Sequence, residues 1–225
     1  MLEQGVTQEL HIERTSGRGI VGNIYNGRVS RVLPGMQSAF VDIGLDRAAF
    51  LHVADIWNSN QDGDAAKPIE KLLYEGNSIL VQVIKDAIGT KGARLSTQIS
   101  LAGRLLVYLP QESHIGISQR IEDDSERELL RKKLQQIIPA EEKGGYIIRT
   151  MAEAADESDL RADLEYLHKL WHDIQKKSVT IAAPVLLYQD LDLSHRVLRD
   201  FVNEDTARIL VDSRENFQRL VKFSQ

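Results

Sequence analysis

Residues 6–13 (VTQELHIE) alternate apolar and polar in the manner of a half-buried strand. Glycines at 17, 19 and 22 then mark a change of structure. From Ile24 to Ser100 short β-branched or aromatic runs stand between turn signals: YNGRVSRVL, SAFVDIG, AAFLHV, a polar break NSNQDGD, then SILVQVIK and ARLSTQIS. Five short strands at turn-spaced intervals predict a small closed barrel. Residues 67–75 (KPIEKLLYE) predict one or two helical turns before the fourth strand. Beyond Ser100 the rhythm changes. LLVYLP and HIGIS predict strands, and EDDSERELLRKKLQQII predicts a helix with Leu130, Leu134, Ile137 and Ile138 at helical spacing. Acid at its start and base in its later turns suit the helix dipole. GYIIRT predicts another strand, followed by a helix from Ser158 to about Lys177 with Leu160, Leu164, Leu167, Leu170 and Ile174 on one face. Both apolar stripes are assigned to core packing. The tail (PVLLYQ, LSHRVLRDFV, ARILV, RENFQRLVKFS) alternates strand and helix and ends on an apolar helix.

Composition narrows the class. At 225 residues the chain holds about one and a half average domains, long enough to bury a substantial core. Its apolar share of 42% and charged share of 27% argue against disorder. No apolar run approaches a membrane span, and the N-terminus lacks a basic-then-apolar leader pattern, so a soluble cytoplasmic protein is expected. With Cys 0 there are no disulfides, thiol nucleophiles or cysteine-held zinc in this chain. The net charge of -5 argues against a nucleic-acid binder, but it is unevenly spread. Residues 15–104 carry ten basic and eight acidic side chains, whereas 121–165 carry seven basic and thirteen acidic. The first half is therefore free to meet an anion.

Candidate chemistry follows from strand parity. If Ala39, Val41 and Ile43 face the barrel core, Phe40 stands outside; the same parity in the next strand turns Ala49, Leu51 and Val53 inward and Phe50 with His52 outward. Two phenyl rings and an imidazole on a wet face make a stacking platform for unpaired bases, unless another domain covers them. Lys91 and Arg94 flank the last strand, within reach of backbone phosphates. Farther on, Arg149-Thr150 with Gly103 and Val107 combines a guanidinium fork, a hydroxyl and a loop glycine, a recipe for a bound phosphate as well as for a surface ion pair. The pairs Asp123-Asp124 and Asp190 with Asp192 sit at helix starts or in loops and are assigned to capping or solvated roles.

The residues also carry a resemblance. Gly27-x-Val29-x-x-Val32, Ala39-Phe40-Val41-Asp42-Ile43-Gly44 and Ala49-Phe50-Leu51-His52 resemble the S1 RNA-binding domain, an OB-fold five-stranded barrel. The wider string GRGIVGNIYNGRVSRVLPGMQSAFVDIGLDRAAFLHVADI, with VQVIKDAIGTKGARLSTQISLAGRLLVYLP and GISQRIE behind it, is similar to the bacterial RNase E/G family across essentially the whole chain. The resemblance implies an α+β multi-domain chain: an S1 domain (19–97) and an α/β 5′-sensor domain (98–194) inserted in a split, incomplete RNase H-like subdomain (1–18 and 195–225). It implies that Phe40, Phe50 and Lys91 contact RNA. It gives Arg149 and Thr150 a 5′-monophosphate, Gly103 a backbone amide contact to it, and Val107 apolar contact with the terminal nucleotide. Gln119 stands beside Arg120 where part of the family has two arginines. The family cleaves single-stranded RNA, in rRNA processing and mRNA decay, with Mg2+ held by two aspartates of a later catalytic domain, in strings resembling VDINTG and IDFIDM. Neither string occurs in this sequence. Zn2+ at a CPxC-like segment links subunits in the family, implying a homo-oligomer for the full-length protein. No catalytic or metal-binding residue is therefore expected in this chain, and binding without cleavage is expected of it alone. The alternatives are a freestanding S1-type RNA-binding protein and a scaffold whose exposed aromatics bind protein.

Overall fold

The computed structural model describes residues 1–14, 18–57, 67–139, 141–203 and 205–224, so the predicted polar break at 58–64 and Gly17 lie outside the described residues. These residues form two compact units, Ile20–Asp190 on one hand and Met1–Gly19 with Leu191–Gln225 on the other.

In the smaller unit the sequence expectation is met only in part. The alternation at 6–13 yields a short hairpin, β1 (Leu2–Glu3) against β2 (Val6–Thr7), joined by Gln4 and Gly5 at positive φ, as a two-residue hairpin turn requires. Residues 8–14 are exposed and lack strand structure. Alternation marks a face, but a strand also needs a neighbour's edge. Here Glu13 instead accepts hydrogen bonds from the Leu193 amide at 3.2 Å and the Arg196 guanidinium at 3.0 Å. The predicted strand at 207–211 is likewise absent, with Ile209 and Leu210 exposed.

In the larger unit the runs of alternating residues become β3 (Ile24–Leu33), β4 (Ser38–Asp42), β5 (Ala49–His52), β6 (Ser78–Lys85) and β7 (Arg94–Ser96). One helical turn, α1 (Ile69–Leu72), precedes β6. Pairing runs β3–β4–β5–β7–β6 and closes through β3–β6, with β5 and β7 parallel, giving a five-stranded mixed barrel of the OB type. Its core is the inward parity set: Val29, Ala39, Val41, Ile43, Ala49, Leu51, Val81, Val83 and Leu95 are all at most 2% exposed.

A four-stranded sheet follows in the order β10–β11–β9–β8, from β8 (Leu101–Ala102), β9 (Leu106–Leu109), β10 (Ile115–Ile117) and β11 (Gly145–Ile148). The two-residue β8 is too short to leave a sequence pattern. Helices α2 (Asp124–Ile137) and α3 (Glu157–Thr180) cover one face. Their stripes, Leu130, Leu134 and Ile137 with Leu160, Leu164, Leu167 and Ile174, pack with Leu106, Tyr146 and Ile148 of the sheet. Asp123 caps α2 by accepting the Glu126 amide at 2.8 Å, while its basic residues lie mid-helix and none in its last turn. Asp156 and Asp159 form a reciprocal capping box on α3. The last strand of the unit, β12 (Val185–Tyr188), returns to β3. In the smaller unit α4 (Leu193–Phe201) packs on α5 (Arg214–Phe223). Asp192 caps α4. Burial pushes its carboxyl up, but hydrogen bonds from the His195 amide and ring, with Arg219 alongside, outweigh it and hold the group below the usual range.

One polar cluster interrupts the sheet–helix core. Glu142 accepts the Tyr108 hydroxyl at 3.0 Å and the Gly144 amide at 2.6 Å, and lies 3.0 Å from His168 Nε2, which is 2.6 Å from the Tyr146 hydroxyl. Burial first, then the Glu142 carboxylate, pushes both phenols well above their ordinary value. The folded chain thus holds these protons more tightly than the unfolded chain. The linked stabilisation is complete below the ordinary phenol value of about 10 and is lost as pH rises beyond it. Urea midpoints are expected to fall from about pH 10 upward, more steeply in the parent chain than in a Tyr108→Phe/Tyr146→Phe variant. Leu134→Ala, at a fully buried position of α2, is expected to destabilise the larger unit by about 2–5 kcal/mol in the same titration.

Candidate nucleic-acid interface

The barrel's outer face is built by register. The cross-strand pairs Arg31–Phe40, Phe40–Phe50, Phe50–Arg94 and Arg94–Lys85 place five side chains in one row across five strands. The two phenyl rings meet edge-on with centroids 6.3 Å apart, and Phe40 is 37% exposed. An aromatic pair bracketed by cations offers π-faces to bases and charge to phosphates.

Arg31 and Lys85 escape a sequence reading for a definite reason. Counting alternately from the buried Val29 and Val83 would turn both inward. In each strand a bulge adds one residue, Ser30 in β3 and Ile84 in β6, and the following side chain emerges on the wet face. Parity within β4 and β5 alone was sufficient for Phe40 and Phe50, because those strands pair without a bulge.

The other predicted contacts are placed around this row. Arg94 is held bidentately by Asp55, Nε to Oδ2 at 2.8 Å and Nη2 to Oδ1 at 3.1 Å, and this partner raises its pKa. His52 lies one step beyond Phe50 on the same face, and its Nδ1 accepts the Ala54 amide at 3.1 Å, capping a short 3-10 turn. Lys91 is exposed in a tight turn closed by mutual backbone bonds between Ile88 and Lys91. The Arg47 guanidinium donates to the Gly89 carbonyl of that turn, anchoring it to the loop before β5.

The second candidate site lies at the end of β11. Arg149 continues the ladder by donating its amide to the Leu105 carbonyl at 2.8 Å, and Thr150 opens a 3-10 turn directly after it. The strand therefore ends at Ile148, directly before the candidate pair that the predicted run GYIIRT included. The Arg149 guanidinium donates from Nη1 to the carbonyls of Gly103 and Arg104, the latter at 3.1 Å. Arg149 and Gly103 are thus brought together. The Gly103 amide donates to Leu106 O at 2.8 Å. Val107 stands in the register row Gly116–Ile147–Val107–Ala102, half-buried on the sheet face opposite the helices. Gln119 and Arg120 are exposed in the turn before α2.

Acidic and histidine side chains build no metal centre among the described residues: none form a group of three or more able to hold an ion. The described residues thus offer no donor set for a divalent ion such as the magnesium or zinc that the resemblance implies. No helix among the described residues is long and apolar enough to cross a membrane.

Comparison with known proteins finds relatives over nearly the whole chain. The chain is 48% identical over 230 residues to Ribonuclease G of Escherichia coli K12, an alignment covering 99% of this chain and 47% of that protein. Ribonuclease G of Haemophilus influenzae is 46% identical, with 100% and 47% covered, and Ribonuclease E of a Nostoc species is 41% identical, with 97% and 31% covered. The chain thus spans about half the length of the ribonuclease G relatives it matches. The profile of the Ribonuclease E/G family matches residues 100–225, which include the Arg149 site and both covering helices, and the chain belongs to that family.

Proposed function

We propose that this chain is the RNA-recognising part of a ribonuclease G-type endoribonuclease that acts in the cytoplasm on single-stranded RNA, in rRNA processing and mRNA decay. The row Arg31–Phe40–Phe50–Arg94–Lys85 carries this reading. Bases stack on the two rings, each worth roughly 1–3 kcal/mol and largely indifferent to sequence. Arg31, Lys85 and Lys91 take the flanking phosphates, and the Asp55 clamp fixes the direction in which Arg94 points. Placing the cations on the barrel and the acid on the helices reconciles RNA binding with a net charge of -5.

A 5′-monophosphate occupies the second site, with Arg149 and Thr150 as its ligands and Val107 against the terminal nucleotide. A guanidinium has five N–H donors in a fixed fork, so its bonds to two carbonyls orient it for an anion. Holding the 5′ end at one site and the following bases at another raises the effective concentration of downstream phosphodiesters for the whole enzyme. Hydrolysis of those bonds, its magnesium, and any zinc-linked homo-oligomer belong in this reading to the whole enzyme.

Phe40→Ala or Phe50→Ala is expected to weaken binding of a single-stranded oligonucleotide roughly 5- to 150-fold by fluorescence anisotropy. The chain is expected to bind a 5′-monophosphorylated oligonucleotide more tightly than its 5′-hydroxyl counterpart, a preference that Arg149→Ala abolishes. Equal affinity for the two ends in the parent chain would identify an S1-type RNA-binding protein without a sensor. Incubated with magnesium, the chain alone is expected to leave the oligonucleotide intact; turnover would overturn the assignment of cleavage to the rest of the enzyme.

A further inference from the structure

The turn that carries Gly103 is clamped from both sides. Its carbonyls, those of Gly103 and Arg104, accept from the Arg149 guanidinium. Its three successive amides converge on one carboxylate: Arg104 N donates to Asp163 Oδ1 at 2.9 Å, and Leu105 N and Leu106 N donate to Oδ2 at 2.9 and 2.8 Å. Successive amides pointing into one concavity make a nest of the kind that holds phosphate. Here the chain's own carboxylate fills it.

Asp163 comes from α3, whose buried Leu160 and Leu164 flank it in sequence and lock the helix into the core. Aspartate is a poor helix former in mid-helix, and this one is directed at backbone 57 to 59 residues away, so its contact is long-range. Gly103 completes the fit. A Cβ at that position would lie 2.5 Å from Asp163 Oδ2 and 2.6 Å from Oδ1, so only glycine lets the carboxylate reach the amides. The glycine in this turn thus has a structural reason in addition to any ligand contact.

We propose that Asp163 is the positioning residue of the phosphate-sensing turn, an inference that rests on the reading of Arg149–Thr150 as a monophosphate site. By occupying the amide nest, Asp163 withdraws those three donors from the ligand and leaves recognition to the Arg149 side. By fixing the turn, it fixes the two carbonyls that aim the guanidinium. Asp163 does not touch the ligand; it acts through the turn and Arg149.

The test measures affinities of the full chain for one oligonucleotide carrying a 5′-monophosphate or a 5′-hydroxyl, and uses their ratio. Asp163→Asn keeps the shape but sets an NH2 group against a backbone amide; the ratio is expected to fall at least about fivefold toward 1, as loss of a charged hydrogen-bond acceptor implies. Hydrogen exchange at the Arg104, Leu105 and Leu106 amides is expected to accelerate while the barrel amides stay protected. Gly103→Ala, which displaces the carboxylate without removing it, is expected to lower the ratio similarly, and the double variant no further than the lower single. A merely structural role would lower the melting temperature without moving the ratio below the transition. If Asp163→Asn and Gly103→Ala keep the parent ratio while Arg149→Ala loses it, the positioning role is wrong and the sensor stands. If the parent chain shows a ratio of 1, the sensor reading itself fails.

Discussion

Strand β3 is the member on which the larger unit depends. Its ten residues run past one strand on one edge and two on the other: β6 pairs with Ile24 to Arg28, while β12 takes Ile24 to Asn26 and β4 takes Arg28 to Leu33. The barrel closes through the first edge and is joined to β12, which follows α3, through the second. Gly27 sits where β12 gives way to β4, and a Cβ there would lie 2.5 Å from Val41 Cγ1. Glycine in a strand interior is otherwise destabilising, so close approach of a neighbour is its physical justification. The side chains of β3 serve two cores as well, Tyr25 and Val29 in the barrel and Ile24 in the sheet–helix layer. Asn26, also buried, donates to the carbonyls of Ser178 and Ile181 at the end of α3, tying barrel to helix. Barrel and four-stranded sheet consequently fall in one compact unit.

This sharing couples the outer face of the barrel to the turn at Gly103. Domains joined only by a linker move relative to one another by default. Here a strand and a buried asparagine couple barrel and sheet into one framework, against which the proposed function would order an RNA bound at both faces. Asp163 apart, the acid on α2 and α3 faces solvent or serves caps, as with Asp123 and Asp156, while the basic residues of the row lie on the barrel. Net charge is therefore a poor guide to this molecule, because phosphates respond to local fields within a Debye length.

Charge within the turn at Gly103 follows a similar logic. Guanidinium on carbonyls and carboxylate on amides satisfy a buried turn that has few other backbone partners, leaving its geometry over-determined. Glu142 performs a comparable task at the opposite end of β11, where it gathers Tyr108, the Gly144 amide and His168.

Much was legible in the sequence. Alternation located all five barrel strands, turned Phe40 and Phe50 outward, and separated the helical stripes that became the second core. Motif strings pointed to the family whose profile matches residues 100–225. Where a strand was expected and did not form, at 8–13 and 207–211, no partner strand among the described residues supplied an edge. By itself the sequence determined the five barrel strands, the facing of β4 and β5 and the buried stripes of the two long helices, since these follow from local periodicity. Only the tertiary structure decided that Arg31 and Lys85 join the aromatic row and that Asp163 reaches the turn at Gly103. Bulges change parity without a sequence mark, and a contact across some 60 residues depends on how helix and sheet pack rather than on the residues beside it.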